Sequence, residues 1–223
     1  MTAAAAEPGW CSDGAEAIRA AARSARGLRG EALHAALAAV PFLDRDAWVD
    51  ALLGLPVPPP DADLPRGAVP YLPCGVEEIV AMVRDAPLGA DDELVDLGSG
   101  LGRVVMLAHL LTGARVRGIE IQHHLAAMAC ERAADLGLAI PFLHADATAI
   151  PLATRADARR TVFFLYAPFN GEMLARALAR LAEVARRRPI VVCTVGVALE
   201  ASWLVARPSS CLALDVYDGA ITS

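Results

Sequence analysis

A glycine-rich stretch that follows one acidic residue and precedes another has the spacing of a nucleoside-binding turn. Asp96 ends a short apolar run, Gly98, Gly100 and Gly102 follow at every second position, and Glu120 ends the next apolar run. Backbone without Cβ atoms lets a ligand approach closely, and the free N–H groups at the start of a helix can meet it. A carboxylate at the end of the second strand can accept both hydroxyls of a ribose. The spacing therefore predicts a site for a cofactor that carries a nucleoside.

This spacing departs from the fingerprint of dinucleotide-binding folds. That fingerprint, G-x-G-x-x-G, places its third glycine three residues after the second. The chain carries Arg103 at that position. An NAD-dependent oxidoreductase therefore remains an alternative that the glycine spacing disfavours.

The turn from Asp96 to Gly102 resembles motif I of the class I S-adenosylmethionine (SAM) methyltransferases. In that family the turn approaches the methionine part of SAM. An acid at the strand end suits a ligand that carries an ammonium and a sulfonium. Two further segments extend the resemblance: Phe142-Leu-His-Ala-Asp146 ends in an acid, and Thr161-Val-Phe-Phe-Leu-Tyr-Ala-Pro-Phe169 enters a proline-containing loop. In the family, the acid at the first of these places takes the adenine amino group, and the next backbone N–H contacts the ring.

The resemblance implies S-adenosyl-L-methionine as the cofactor and S-adenosyl-L-homocysteine as the product. The cofactor-binding residues that it implies are Tyr71, Asp96, Leu97, Gly98, Gly100, Gly102, Glu120, Ile121, Asp146 and Ala147. Tyr71-Leu-Pro-Cys74, the glycine turn and the Phe-Phe-Leu-Tyr-x-Pro-Phe run together look like small bacterial methyltransferases of the Dot1-like branch. The eukaryotic members of that branch methylate a histone lysine and carry paired asparagines at the lysine channel. An ungapped alignment puts Leu165 and Tyr166 there, which argues against lysine as the acceptor.

The loop that follows Tyr166 is the place where a catalytic group is expected. Methyltransferases that act on planar amines tend to carry Asn/Asp-Pro-Pro-aromatic here, and this chain has Tyr166-Ala-Pro-Phe169. The Tyr166 hydroxyl could serve as a polar handle in a substrate pocket, or Tyr166 and Phe169 could instead be core aromatics that close the strand end. Methyl transfer needs a base only when the nucleophile starts protonated. The catalytic residues are therefore unknown, with Tyr166 as a weak candidate.

Composition limits the partners of the chain. The net charge is −6, and every basic residue is arginine because the chain contains no lysine; lysine Schiff-base chemistry is thus excluded. Without a dense basic stripe, the sequence disfavours nucleic acid and favours a small molecule or a protein as the acceptor.

Five scattered cysteines predict reduced thiols and a cytoplasmic location. We expect no metal, because His123 and His124 diverge on a helix, and no membrane span.

The chain divides into four predicted segments: a disordered tail over 1–11, a helical segment over 12–55, a proline-rich linker over 56–68 and the methyltransferase domain over 69–223. Alternating strand and helix patterns predict an α/β fold, a doubly wound and mostly parallel Rossmann-like sheet. A strand is expected over Cys211 to Tyr217, with a hairpin turn at Asp218-Gly219. The N-terminal helices could cover the substrate side or form a homodimer. An alternative to a methyltransferase is that the chain is a non-catalytic SAM-binding or scaffold module.

Overall fold

The computed structural model describes residues 11–62 and 64–220, so the expectation of a disordered tail over 1–11 lies outside the described part for residues 1–10, whereas Cys11 begins the first helix. A short 3₁₀ helix, Phe42–Asp44, precedes the third α-helix. The helices are α1 (Cys11–Ser24), α2 (Gly30–Ala38), α3 (Arg45–Leu53), α4 (Val76–Asp85), α5 (Arg103–Thr112), α6 (His123–Asp135) and α7 (Gly171–Ala185). The strands are β1 (Glu93–Leu97), β2 (Arg115–Glu120), β3 (Phe142–His144), β4 (Thr161–Tyr166), β5 (Ile190–Val195), β6 (Leu204–Arg207) and β7 (Leu214–Gly219).

The strands form one seven-stranded sheet in the order β3-β2-β1-β4-β5-β7-β6. β1 pairs in parallel with both β2 and β4, whereas β7 is antiparallel to β5 and β6. The predicted fold class, a doubly wound and mostly parallel α/β sheet, is confirmed. The chain proceeds from β1 toward β3 on one side and from β4 toward β5 on the other. The carboxyl ends of β1 and β4 therefore flank the switch point, where sheets of this kind bind ligands.

The central strands are continuous apolar runs because helices cover both faces of the sheet. All five residues of β1 are buried. Leu94 and Phe164 pack on one face with α4 and α5, and their neighbours Val95 and Phe163 pack on the other face with α7. This packing fixes β1 and β4 side by side, and with them the loops that follow each strand.

The end of the sheet differs from the prediction. Strand β7 runs through Asp218 and Gly219, so the expected turn lies inside a strand, and the hairpin partner is the preceding strand β6. A Cβ on Gly219 would come 2.9 Å from Trp203; the glycine serves close packing rather than a turn. The sequence pattern does not predict strand β6, because this short edge strand lacks a buried apolar run: its Val205 is 67% exposed. The terminal antiparallel hairpin is thus complete within the described residues.

The N-terminal helices share a hydrophobic core with α4 and α5. Trp48, Val49, Leu52 and Leu53 of α3 are buried, as their helical spacing predicts. The irregular segment after α3 then crosses the carboxyl edge of the sheet before α4 begins. The division of the chain at 56–68 stays a prediction. No helix in the described ranges combines the length and the apolar character that crossing a bilayer requires.

Candidate active site

The glycine turn after β1 is held by the end of the neighbouring strand. The N–H groups of Gly98 and Ser99 both donate to the carbonyl of Ile119, at 2.8 and 3.1 Å. Gly98 has a φ of +92° and Gly102 a φ of +82°, in a region that favours glycine. A Cβ on Gly98 would come 2.6 Å from the Cβ of Pro168, in the loop after β4. Glycine is therefore needed at position 98 both for the left-handed backbone and for the close approach of that loop.

Glu120 ends β2 with its carboxylate beside this turn. The side chain is buried, Oε2 accepts the N–H of Gly100 at 2.8 Å, and Oε1 accepts the N–H of Gln122 at 2.8 Å. Burial raises the pKa of Glu120, although these two hydrogen bonds act in the opposite direction. A carboxylate has about four acceptor positions. Glu120 thus keeps capacity to accept ligand hydroxyls while it holds the turn in place.

Asp96 is a second buried acid in the same region. Burial raises the pKa of Asp96 well above its ordinary value, and the charge of Glu120 raises it further. Leu97 is fully buried behind the turn. A cation placed beside these carboxyls would favour their ionised forms, whereas a phosphate would oppose them. The electrostatics of the site therefore suit a positively charged ligand.

A cleft opens at the carboxyl ends of β1, β2 and β4. Its volume is about 100 Å³, which is smaller than the roughly 300–1,000 Å³ of most small-ligand sites. Among the described residues that line it, Glu120 is the one charged side chain, and most of the others are apolar. The lining residues are Leu64, Ala68, Val69, Pro70, Tyr71, Leu72, Gly98, Ile119, Glu120, Ile121, Gln122, Ala145, Ala147, Tyr166, Ala167, Pro168 and Phe169.

Residues 64–72, called the strap below, form one wall of this cleft. The N–H of Val69 donates to the carbonyl of Pro168 at 3.1 Å, which ties the strap to the loop after β4. The ring of Tyr71 lies directly against Gly100, where any Cβ would overlap it. Burial raises the pKa of Tyr71 to about 12. Tyr71 is thus an uncharged wall of the cleft, and its contact with a cofactor stays a prediction.

The strap is also anchored on its other side, next to Glu120. Oδ1 of Asp61 accepts the N–H of Tyr71 at 2.9 Å and the side-chain amide of Gln122 at 2.7 Å. The N–H of Ala62 donates to Oε1 of Gln122 at 2.9 Å. Gln122 is a site residue that the motifs do not predict, although its place two residues after Glu120 puts it at the same strand end. The segment predicted as a linker therefore contributes directly to the site.

Tyr166 lies at the end of β4 and lines the cleft. Burial raises the pKa of Tyr166, so its hydroxyl stays neutral near neutral pH and is a poor general base. The next residue, Ala167, has a φ of +38° and is the one non-glycine residue with a positive φ in the described part of the chain. Such strained backbone clusters at functional loops. Leu165, by contrast, is fully buried in the core.

Asp146 and Ala147 follow β3 at the adenine end that the family resemblance implies. Ala147 is buried and lines the cleft together with Ile121. Oδ1 of Asp146 accepts the N–H of Thr148 at 2.8 Å; this oxygen closes the local turn. The side chain of Asp146 is half-buried and does not line the cleft. The adenine-binding role of Asp146 stays a prediction.

The structure thus gathers most of the predicted residues around one cleft. Tyr71, Gly98, Glu120, Ile121 and Ala147 line it directly. The remaining members of the glycine motif form a buried layer behind it: Asp96, Leu97, Gly100 and Gly102. Their roles toward a cofactor remain predictions. Within the described residues, no three histidine, cysteine or acidic side chains are grouped so as to hold a metal ion.

Comparison with known proteins supplies independent information. Residues 94–188 match a family model described as a methyltransferase domain. An RNA methyltransferase from Salinibacter ruber, solved in complex with S-adenosyl-L-homocysteine, is 26% identical over 66% of this chain and 92% of that chain, with a TM-score of 0.50. A putative methyltransferase from Escherichia coli, yhhF, is 15% identical over 71% of this chain and 91% of that chain, with a TM-score of 0.53, and shares the fold. A search of curated proteins gave no significant match.

Proposed function

We propose that this chain is a class I SAM-dependent methyltransferase that transfers the methyl group of SAM to a small, uncharged and largely apolar acceptor; the methyltransferase-domain match over residues 94–188 and the similarity to a methyltransferase solved with S-adenosyl-L-homocysteine support the cofactor. The observation that carries the proposal is the position of Glu120, buried at a strand end with its carboxylate on the glycine turn and on the cleft. When bound, SAM supplies a methyl group on a sulfonium, which is a good leaving group. The protein has to bind the cofactor, orient the acceptor and exclude water.

The residues of the site fit this cofactor. Glu120 would accept the ribose hydroxyls, and Asp96 would balance the positive charge of the methionine part. Asp96 has a pKa raised by burial, so a cationic ligand is the kind of group that this site stabilises. Ile121 and Ala147 would pack on the adenine, with Asp146 as its polar partner. Gly98 leaves space that a Cβ would fill against the Pro168 loop.

The chemistry of the cleft wall supports an uncharged acceptor. Its described lining carries no arginine, and the strap adds the apolar side chains of Leu64, Val69 and Leu72. An anionic acceptor would be buried there without a counter-charge, next to the buried acid Glu120. Since Tyr166 has a raised pKa, the acceptor should arrive with its nucleophilic atom already unprotonated. Tyr166 would then orient it by a hydrogen bond.

Methylation of a protein lysine, as in the Dot1-like branch, finds less support. Leu165 aligns with one of the paired asparagines of that branch, and its side chain is fully buried in the sheet core. Tyr166, at the second position, does reach the cleft. The polar amide pair that would orient a lysine amine is therefore replaced by one apolar core residue and one phenol. The Dot1-like kinship itself remains a resemblance of sequence motifs.

An RNA acceptor is the second candidate, because the Salinibacter ruber structure is that of an RNA methyltransferase. RNA recognition relies on arginine and lysine contacts to phosphates and on aromatic stacking of bases. Cationic side chains do not line the described part of the cleft, and the chain carries a net charge of −6. We therefore place a small molecule ahead of RNA.

Two other classes receive less support from the site. A dinucleotide fold would need a third glycine where Arg103 extends a long side chain to α3. A non-catalytic scaffold without a cofactor would not require a cleft whose walls come from β1, β2, β4 and the strap. A non-catalytic SAM-binding module would have the same cleft, and the methyl-transfer assay below distinguishes it from an enzyme.

Transfer of tritium-labelled methyl groups tests the proposal. The purified protein is incubated with labelled SAM and, in parallel, with bulk RNA or with a protein-free, RNA-free small-molecule extract. We expect label in an organic-extractable product of the second reaction alone, and loss of that label with Glu120→Ala. Labelled RNA would overturn the small-molecule proposal in favour of the second candidate. Absence of label in all fractions, with no SAM binding, would overturn the enzymatic reading.

A further inference from the structure

We propose that Arg103 is a positioning residue through which helix α3 holds the cofactor turn, so that the N-terminal helices form part of the cofactor site. The inference rests on the proposed function, since the turn matters only if it binds SAM. Arg103 is the first residue of α5 and directly follows Gly102. Its side chain is 4% exposed, which is rare for a charged group unless it is paired.

Both terminal nitrogens of the Arg103 guanidinium group are bound by α3 and by the segment before α4, whereas its buried Nε has no hydrogen-bond partner among the described residues. Nη1 donates to Oδ1 of Asp46 at 3.0 Å and to the carbonyl of Cys74 at 2.6 Å. Nη2 donates to the carbonyl of Asp46 at 2.9 Å and lies 2.8 Å from Oδ1 of Asp50. Two carboxylates and two carbonyls thus hold one buried cation, a geometry that the planar fork of arginine matches and lysine does not.

These contacts connect three pieces that together surround the turn. Cys74 belongs to the segment whose Tyr71 ring lies against Gly100. Oδ1 of Asp46 also accepts the N–H of Val76, at 3.0 Å, in the first turn of α4. Arg103 therefore joins the start of α5 directly to the segment that follows the strap, at Cys74, and joins it through Asp46 of α3 to the first turn of α4. Loss of the guanidinium would free the backbone of the glycine turn, to which Glu120 is hydrogen-bonded and which the cofactor would contact.

Removing one partner of a buried ion pair leaves the other charge uncompensated, which is far more costly than losing an exposed pair. The carboxylates of Asp46 and Asp50 are 61% and 42% exposed, whereas Arg103 is 4% exposed. Asp50→Asn leaves Arg103 its contacts with Asp46 and Cys74, so the overall fold should stay intact while the guanidinium, and the turn attached to it, shift toward these remaining partners.

Calorimetric titration with S-adenosylhomocysteine tests this inference on the full chain. The variants are Arg103→Gln, Arg103→Lys and Asp50→Asn, because the structure pairs the Asp50 carboxylate with Arg103. Asp44→Asn is the matched control: Asp44 lies next to the start of α3, and its side chain forms no cap hydrogen bond there. The unfolding temperature of each unliganded variant is measured alongside.

We expect Arg103→Gln and Asp50→Asn each to weaken binding by about tenfold or more, which corresponds to about 1.4 kcal/mol, at an unchanged stoichiometry. Arg103→Lys should fall between Arg103→Gln and the native protein, and Asp44→Asn should bind as the native protein does. The double variant Arg103→Gln/Asp50→Asn should bind no more weakly than Arg103→Gln alone, because the two changes remove the same interaction.

Native affinity in both Arg103→Gln and Asp50→Asn would overturn the inference while leaving the methyltransferase assignment intact. A reduced stoichiometry at native affinity would also overturn it, because that result indicates partial unfolding rather than a displaced turn. If Arg103→Gln does not fold, Asp50→Asn decides alone. Failure of the native protein to bind the ligand would instead refute the proposed function.

Discussion

Substitution of Gly98 by alanine probes the contact between the glycine turn and the loop after β4. An alanine at the φ of +92° observed for Gly98 carries a left-handed strain of about 1–2 kcal/mol. Its Cβ would lie 2.6 Å from the Cβ of Pro168, so the loop must retreat by roughly 1 Å to reach normal carbon–carbon contact. That movement stretches the hydrogen bond of 3.1 Å from Val69 to Pro168, worth about 1 kcal/mol.

These contributions sum to about 2–3 kcal/mol of lost unfolding free energy. Thermal unfolding followed by far-ultraviolet circular dichroism should then show a midpoint lowered by roughly 5–10 °C. Gly137→Ala is the matched control, because Gly137 has a φ of +68° and no atom within 4 Å of an added Cβ. It should carry the backbone strain alone, about 1–2 kcal/mol, and so destabilise the protein by about 1 kcal/mol less than Gly98→Ala. Equal destabilisation by Gly98→Ala and Gly137→Ala would refute the proposed packing of Pro168 on the turn.

Three further predictions concern the buried acids and the strained loop. Because burial raises the pKa of both Asp96 and Glu120 while the cofactor favours their ionised forms, affinity for S-adenosylhomocysteine should fall as the pH drops from about 8 to about 5; a calorimetric series with a flat profile would contradict this. A raised carboxyl pKa means that the stability present at low pH is lost as the pH rises toward the folded-state pKa. Asp96→Asn should therefore raise the unfolding temperature of the unliganded protein near neutral pH while abolishing cofactor binding, and a lowered unfolding temperature would count against the electrostatic argument. Ala167→Gly relieves the strain at a φ of +38° and should add about 1 kcal/mol to the unfolding free energy, measured by urea denaturation; destabilisation would show that the Ala167 methyl group has a packing role instead.

The sequence was sufficient for the parts of the fold where local pattern and burial agree. Strand β1 begins and ends where the apolar run before the glycine turn predicts, because it is central and buried on both faces. The last hairpin could not be predicted in this way. Strand β6 is an exposed edge strand, and Gly219 lies inside β7 because of its contact with Trp203 rather than because of a turn.

The candidate site likewise contains residues that the sequence alone identifies and residues that it does not. Asp96, the glycines and Glu120 were identifiable because they follow strands directly along the chain. The part played by Arg103 was not, because its partners Asp46 and Asp50 lie more than fifty residues away and their pairing depends on how α3 packs on α5. The anchor between Asp61 and Gln122 likewise joins residues 61 positions apart. Contacts of this range come from tertiary packing, which no local spacing encodes.

Calorimetric titration of the native protein and of Glu120→Gln with SAM tests the central claim most directly. Glu120 is expected to accept the ribose hydroxyls through charged hydrogen bonds, each worth about 1.5–3 kcal/mol. The native protein should bind one SAM, and Glu120→Gln should bind about a hundredfold more weakly, with Glu172→Gln, an exposed acid in the first turn of α7, binding as the native protein does. No saturable binding by folded native protein, or equal binding by Glu120→Gln, would contradict the assignment of this cleft as the SAM site.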